Sequence, residues 1–323
     1  MKVLANDGVS AAGQKALEEA GYIVLTDHVA QENLAKTINE QGIEVLLVRS
    51  ATTVRKDLID ACPGLKLIGR GGVGMDNIDV EYAREQGRTV INTPAASSQS
   101  VAELVMGQLF SISRFVYDSN REMAQGDFKT LKKKYSKGVE LRGKKLGIVG
   151  FGRIGQSLAS YALGVGMEVL AVDRASRHTE IPVIIGNGQQ VNVGVEVHTD
   201  IMKILSEVDY ISIHIPKQAD GKAVLGEAEL NRLKKGVFIV NAARGGVIDE
   251  QALMRALDSG QVAAAAMDVF ENEPNPNKDL LNHPKISSTP HIGAATGEAQ
   301  ARIGLELAEL IIEKFGVLKS MNV

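Results

Sequence analysis

The sequence holds a single cysteine, Cys62, which excludes an intrachain disulfide and a cysteine-based metal cluster. Cys62 sits at an apparent helix end, "LIDACPG", where a packing role is expected. No apolar run approaches the roughly 20 residues needed to span a bilayer, and the opening "MKVLANDG" lacks the apolar core of a signal peptide. Charge of one sign is also missing. With 36 Lys and Arg against 39 Asp and Glu, the formal net charge of -3 leaves no electrostatic footprint for nucleic acid or an anionic membrane. The one local exception is the basic run "LKKKYSKG" at 131–138, otherwise a solvated loop. A cytoplasmic protein is the expectation, with no nucleic acid, membrane or metal partner. The 323 residues suffice for about two domains, each with its own core.

Short β-rich runs alternate with helical patterns almost throughout, the signature of parallel βαβ units. "KVLAND", "YIVLTD", "EVLLVRS", "LKLIGRGG" and "RTVINTP" read as strands of a first unit of about 95 residues. A helical stretch without internal proline follows at 98–126, with serines suited to an N-cap, and then a polar loop. A second alternating series runs from "KKLGIVGFG" to "KISSTP". The last segment, "AATGEAQARIGLELAELIIEKFG", is amphipathic and is expected to return to the first domain. The predicted fold is α/β, with two domains of doubly wound parallel sheet. A Rossmann-type cofactor domain, 96–293, is inserted into a flavodoxin-like substrate domain formed by 1–95 and 294–323.

"GIVGFGRIGQ" places Gly150, Gly152 and Gly155 in the G-x-G-x-x-G pattern, after a strand and opening a helix that starts with Arg153 and Ile154. A second strand ends in Asp173, at the distance a dinucleotide fingerprint requires. Gly150 permits the tight turn, Gly152 the approach to the pyrophosphate, and Gly155 close helix packing. The helix N-terminus supplies amide donors to the phosphates. Asp173 can accept from the adenosine ribose hydroxyls and would repel a 2′-phosphate, which favours NAD over NADP. Arg174 beside it pulls the other way, because an arginine there can accommodate that phosphate.

"FIVNAARGGVIDE" begins as a buried strand, turns on two glycines and starts a helix near Asp249. It delivers Arg244 to the strand's carboxyl end, the edge where open α/β sheets bind ligands, and arginine's planar fork suits a carboxylate. Asp268, Glu273 and His291 follow later runs that lead to the same edge. Hydride transfer from a hydroxy acid needs a carboxylate holder, a base for the hydroxyl proton and a partner for that base. Arginine, histidine and glutamate fill those roles.

In the order "GRGGVGMDNID", "GIVGFGRIGQ", "HIP", "NAARGGVIDE", "MDVFENEP" and "PHIGAAT", the chain resembles the D-isomer-specific 2-hydroxyacid dehydrogenases over nearly its whole length. The resemblance implies Arg244, Glu273 and His291 as the catalytic set. It implies that backbone amides across Gly71, Gly72, Val73 and Gly74 lie near the substrate carboxylate. Asp268 would meet the nicotinamide carboxamide, with His214, Ile215, Pro216 and Ala242 lining the cofactor site. His291 would exchange the C2 hydroxyl proton while Glu273 pairs with its protonated imidazole.

Arg49 and Ser50 at one strand end and Arg70 at another could serve a substrate phosphate. Here the chain resembles the D-3-phosphoglycerate dehydrogenases of the family, which implies NAD-dependent oxidation of D-3-phosphoglycerate. A glyoxylate or hydroxypyruvate reductase is the alternative, and an NAD(H)-sensing corepressor an alternative of another class. The 98–140 region resembles the family's dimer element, so a homodimer is expected. Larger phosphoglycerate dehydrogenases append a serine-sensing domain; none is expected after "FGVLKSMNV". The stretch between Asp173 and a helix near Thr199 is longer than the family spacing. Its "VIIGNGQQVNV" carries the Asn-Gly signal of a hairpin that would fold beside the adenosine pocket, with His178 and His198 exposed.

Overall fold

The computed structural model describes residues 1–318; the tail of the expected 294–323 segment, residues 319–323, lies outside the described residues. The chain divides into two compact units, Met1–Ser98 with the segment from Ala294 onward, and Gln99–Gly293. In the first, β1 (Lys2–Ala5), β2 (Ile23–Leu25), β3 (Val45–Val48), β4 (Leu67–Arg70) and β5 (Thr89–Asn92) alternate with α1 (Ala11–Glu19), α2 (Gln31–Gln41), α3 (Lys56–Ala61) and α4 (Val80–Glu85). All five strands are parallel, in the order β2-β1-β3-β4-β5. Val45–Val48 is buried along its whole length, as a strand covered on both faces must be. Cys62 is fully buried at the end of α3, and burial pushes its thiol pKa up.

The final helix, numbered α12 (Gly297–Phe315), packs on α1. A Cβ on Gly13 would fall 2.4 Å from the Gly304 carbonyl oxygen, so paired glycines set how closely these helices approach. Ser10 caps α1 by accepting the Gly13 amide at 3.2 Å.

The second unit starts with α5 (Ser98–Arg114), α6 (Val116–Met123) and α7 (Phe128–Lys134). Then come β6 (Lys145–Val149), α8 (Arg153–Gly164), β7 (Glu168–Val172), β8 (Arg177–Ile185), β9 (Gln189–His198), β10 (Tyr210–Ile213) and α9 (Glu227–Arg232). It closes with β11 (Val237–Asn241), α10 (Glu250–Ser259), β12 (Val262–Met267), α11 (Lys278–Leu281) and β13 (Ile286–Ser288). Its sheet runs β13-β12-β11-β10-β6-β7-β9-β8, parallel except for β8. Leu146, Ile148, Tyr210 and Val240 fill the core on one side, Ile211, Ile213, Ile239 and Leu253 on the other. Among the described residues, no helix is long and apolar enough to cross a membrane.

Three local expectations change. The helical stretch at 98–126 breaks at Phe115, whose φ of 55° is left-handed and ends the helical ladder. The basic run at 131–138 is partly helical: Lys132, Lys133 and Lys134 occupy the last turn of α7, where the helix dipole favours cations. Near Thr199 there is only a single 3-10 turn, Ile201–Lys203, capped by Asp200. The inserted stretch is a β8–β9 hairpin, and Asn187 and Gly188 both take positive φ at its tip, as a type I′ turn demands. β9 pairs in parallel with β7, so the insertion extends the sheet at its edge. His178 is exposed there and His198 half-buried.

Candidate active site

β11 delivers the chain to a tight turn before α10. The buried Asn241 side chain closes it, accepting the Ala243 amide at 3.1 Å and donating to the Arg244 carbonyl at 3.0 Å. Arg244 Nη1 donates to the Ala243 carbonyl at 2.6 Å. A Cβ on Gly245 would sit 1.8 Å from the Phe270 carbonyl oxygen, so only glycine lets the segment after β12 press against this turn. Asp249 caps α10 through the Ala252 amide. Beside it the buried Glu250, its pKa pushed up by burial, accepts the Glu271 amide at 2.9 Å and fixes that segment.

Glu273 is held at both oxygens: Oε1 accepts the Phe270 amide at 2.9 Å, and Oε2 lies 2.8 Å from His291 Nδ1. Burial alone would raise its pKa. The hydrogen bonds from His291 and Phe270, with the charges of His291 and Arg244, outweigh it and hold the carboxyl below its usual range. Against a carboxylate, Nδ1 is the donor, which leaves Nε2 as the nitrogen able to exchange a proton with a ligand. His291 itself has a left-handed φ of 53°. Asp268, fully buried, braces that segment. Its Oδ1 accepts the Thr289 hydroxyl at 2.6 Å and the Ile292 amide at 2.9 Å, and Oδ2 accepts the Gly293 amide at 2.9 Å.

At the end of β6, Gly150 has φ 94°, and a Cβ there would lie 2.5 Å from the His214 carbonyl oxygen. A Cβ on Gly155 would meet the Gly150 carbonyl oxygen at 2.3 Å, while one on Gly152 would meet nothing within 4 Å. Gly152 caps α8 without a side-chain hydrogen bond, so no cap side chain occupies the amides of the first turn, which begins with Arg153 and Ile154. An uncapped helix N-terminus with an open approach fits a pyrophosphate. Asp173 follows β7, and Arg177 donates to its Oδ2 at 2.9 Å. Burial opposes ionisation of Asp173, but Arg177 and the Arg174 amide prevail and lower its pKa.

His214, Ile215 and Pro216 follow β10. Ser212 Oγ and His214 Nε2 are 2.9 Å apart, whereas Nδ1 is shielded from solvent and has no partner. Burial pushes the imidazole pKa down to about 4. An orphaned buried nitrogen beside the half-buried Ile215 and Ala242 and the exposed Pro216 fits a site completed by a bound polar molecule.

Within the first unit, Val48 pairs with Arg70, so Arg49, Ser50 and Arg70 emerge from adjacent parallel strand ends. Asp7 accepts the Arg49 amide at 2.6 Å, and Asn77 donates to the Arg49 carbonyl at 2.8 Å. Arg70 Nη2 reaches Ser50 Oγ at 3.4 Å, and Nη1 lies 1.8 Å from where a Gly72 Cβ would be. Arg49 Cγ lies 3.6 Å from the corresponding point on Gly71. Val73, exposed, and Gly74 follow; Asn92 holds the Val73 carbonyl at 2.7 Å. The supporting residues Asp7, Asn77, Asn241 and Glu250 were not singled out in sequence. All four lie inside strand runs or motifs of the sequence, but nothing local marks a side chain that bonds across the fold.

Residues 106–293 match the family described as D-isomer specific 2-hydroxyacid dehydrogenase, NAD binding domain. The chain belongs to this family. It is 41% identical over 309 residues to a hydroxypyruvate reductase of Thermotoga maritima, covering 95% of each protein. It is 40% identical over 311 residues to a D-3-phosphoglycerate dehydrogenase of Methanocaldococcus jannaschii, covering 96% of this chain but only 57% of that protein. The crystal structure of the TT0316 protein from Thermus thermophilus superposes over 100% of both chains, with a TM-score of 0.82 and 28% identity. The 2-hydroxyacid dehydrogenase is thus an NAD-dependent oxidoreductase whose substrate is a small hydroxy or keto acid.

Proposed function

We propose that this dehydrogenase oxidises D-3-phosphoglycerate to 3-phosphohydroxypyruvate, the first step of serine biosynthesis, with Arg244, Glu273 and His291 as the catalytic set. The observation that carries the substrate reading is the pair Arg49 and Arg70, brought over Gly71 and Gly72 from neighbouring strand ends. The Arg70 guanidinium beside the Ser50 hydroxyl, with the Arg49 guanidinium from the neighbouring strand end, would supply the charge-assisted donors that a phosphate needs. Backbone amides across Gly71–Gly74 are the candidate donors to the substrate carboxylate.

The bound nicotinamide supplies the acceptor for the C2 hydride. His291, oriented through Nδ1 by Glu273, takes the hydroxyl proton at Nε2 and returns it in the reverse reaction. Glu273 stabilises the imidazolium that results. Arg244 holds the carboxylate and polarises the C2 oxygen. Gly150, Gly152, Gly155 and the first turn of α8 would hold the pyrophosphate, and Asp173 the ribose.

A second reading, hydroxypyruvate reductase, is favoured by the 41% identical relative that matches over 95% of each protein. The two separate by kcat/KM for 3-phosphohydroxypyruvate and hydroxypyruvate with NADH. A preference of about a hundredfold for the phosphorylated acid, about 2.7 kcal/mol of transition-state binding, supports the first. Equal rates support the second. NADH binding with neither substrate turned over would favour a corepressor role.

We also propose a homodimer through the 98–140 region, supported by the exposed apolar side chains Phe110, Val116, Tyr117, Met123 and Phe128. Sedimentation equilibrium tests it, and a monomer at micromolar concentration would refute it.

A further inference from the structure

We infer that Arg177, the first residue of the inserted hairpin, makes the adenosine end of the cofactor site accept a 2′-phosphate, so that the enzyme takes NADPH as well as NADH. The inference rests on reading residues 150–173 as the adenosine site, and not on which hydroxy acid is the substrate.

An acid at the end of the second strand of a dinucleotide fold selects NAD because it accepts from the ribose hydroxyls and repels a phosphate. In this protein the acid is already engaged. Asp173 Oδ2 accepts from Arg177 Nη2 at 2.9 Å, and Oδ1 accepts the Arg174 amide at 2.8 Å. The same Nη2 donates at 2.8 Å to the carbonyl of Phe151, between the first two fingerprint glycines, and Nη1 to the Ala175 carbonyl at 3.3 Å. The guanidinium therefore bridges the fingerprint loop and the ribose acid. The ion pair with Arg177 neutralises this carboxylate, which removes the repulsion on which NAD selection depends.

The insertion explains why the arginine is there. β8 begins at Arg177 and is fastened to the sheet through β9, with Ile181 and Val183 buried, so the residue enters from a braced strand rather than a free loop. Its side chain retains 36% of its exposure, enough for a guanidinium to turn from a carboxylate oxygen toward a phosphate oxygen.

Fluorescence titration of the full chain with NADH and NADPH, without substrate, tests this by binding alone. Dissociation constants within about tenfold of each other are expected. Arg177→Ala should weaken NADPH by tenfold or more and leave NADH no weaker than about threefold. Arg177→Gln keeps a donor for the Phe151 carbonyl and should lose NADPH in the same way, which separates phosphate recognition from anchoring of the hairpin. Adenosine 2′,5′-bisphosphate competing with NADH at least as well as adenosine 5′-monophosphate would support the same conclusion. A wild-type preference for NADH above a hundredfold, or equal weakening of both cofactors in both variants, would overturn it. Failure of NADH and the adenosine monophosphate alike to bind would instead overturn the reading of residues 150–173, and the inference with it.

Discussion

The Oδ1 of Asp268 accepts the Thr289 hydroxyl at 2.6 Å, two residues before His291. Since the carboxylate also takes the Ile292 and Gly293 amides, its replacement leaves buried donors unpaired. Asp268→Asn should lower stability by about 1–3 kcal/mol and reduce kcat while NADH affinity changes little. Weaker NADH binding at unchanged stability would instead mark Asp268 as a contact to the carboxamide.

His291→Ala removes the proposed acid/base group but none of the fingerprint. kcat should fall by about 10²–10⁴-fold, with NADH still bound in a fluorescence titration. Loss of NADH binding would count against the acid/base role.

His214 links stability to pH. Its folded pKa of about 4 lies below the ordinary 6.5, so folding favours the neutral ring. That contribution is whole above pH 6.5 and is lost as pH falls from 6.5 through about 4, amounting to up to about 3 kcal/mol. Urea denaturation across this window should show a slope that His214→Gln flattens. An unchanged slope would mean that the ring is solvated.

Gly245→Ala forces a methyl group against the Phe270 carbonyl. A loss of about 1–3 kcal/mol is expected, together with a lower kcat because the segment carrying Glu273 moves. A melting temperature equal to that of the wild type would show that the turn yields without cost.

Arg70→Met retains most of the side-chain volume and removes the charge. The kcat/KM for 3-phosphohydroxypyruvate should drop about tenfold or more while that for hydroxypyruvate holds, each tenfold step corresponding to about 1.4 kcal/mol. Parallel losses on both acids would place Arg70 in support of the Gly71–Gly74 loop instead.

Much of the fold was legible because its signals are local. Apolar runs such as Val45–Val48 and Val237–Asn241 alternate with amphipathic helices, and that alternation yields parallel sheets. The glycine spacing at 150–155 and the Asn-Gly turn were readable for the same reason. The break at Phe115 was not, because a left-handed phenylalanine carries no compositional mark.

The sequence by itself determined the alternation of strands and helices and which side chains are candidates for chemistry: Arg244, Glu273 and His291 stand after parallel strands that end at one sheet edge. Only the tertiary structure decided how they are held. The 2.8 Å contact from Glu273 to His291 spans 18 residues, Asp268 reaches across 21 to Thr289, and Arg177 turns back on Asp173 and Phe151. Such contacts depend on where separate segments are brought by packing, and periodicity along the chain records only the neighbours of each residue.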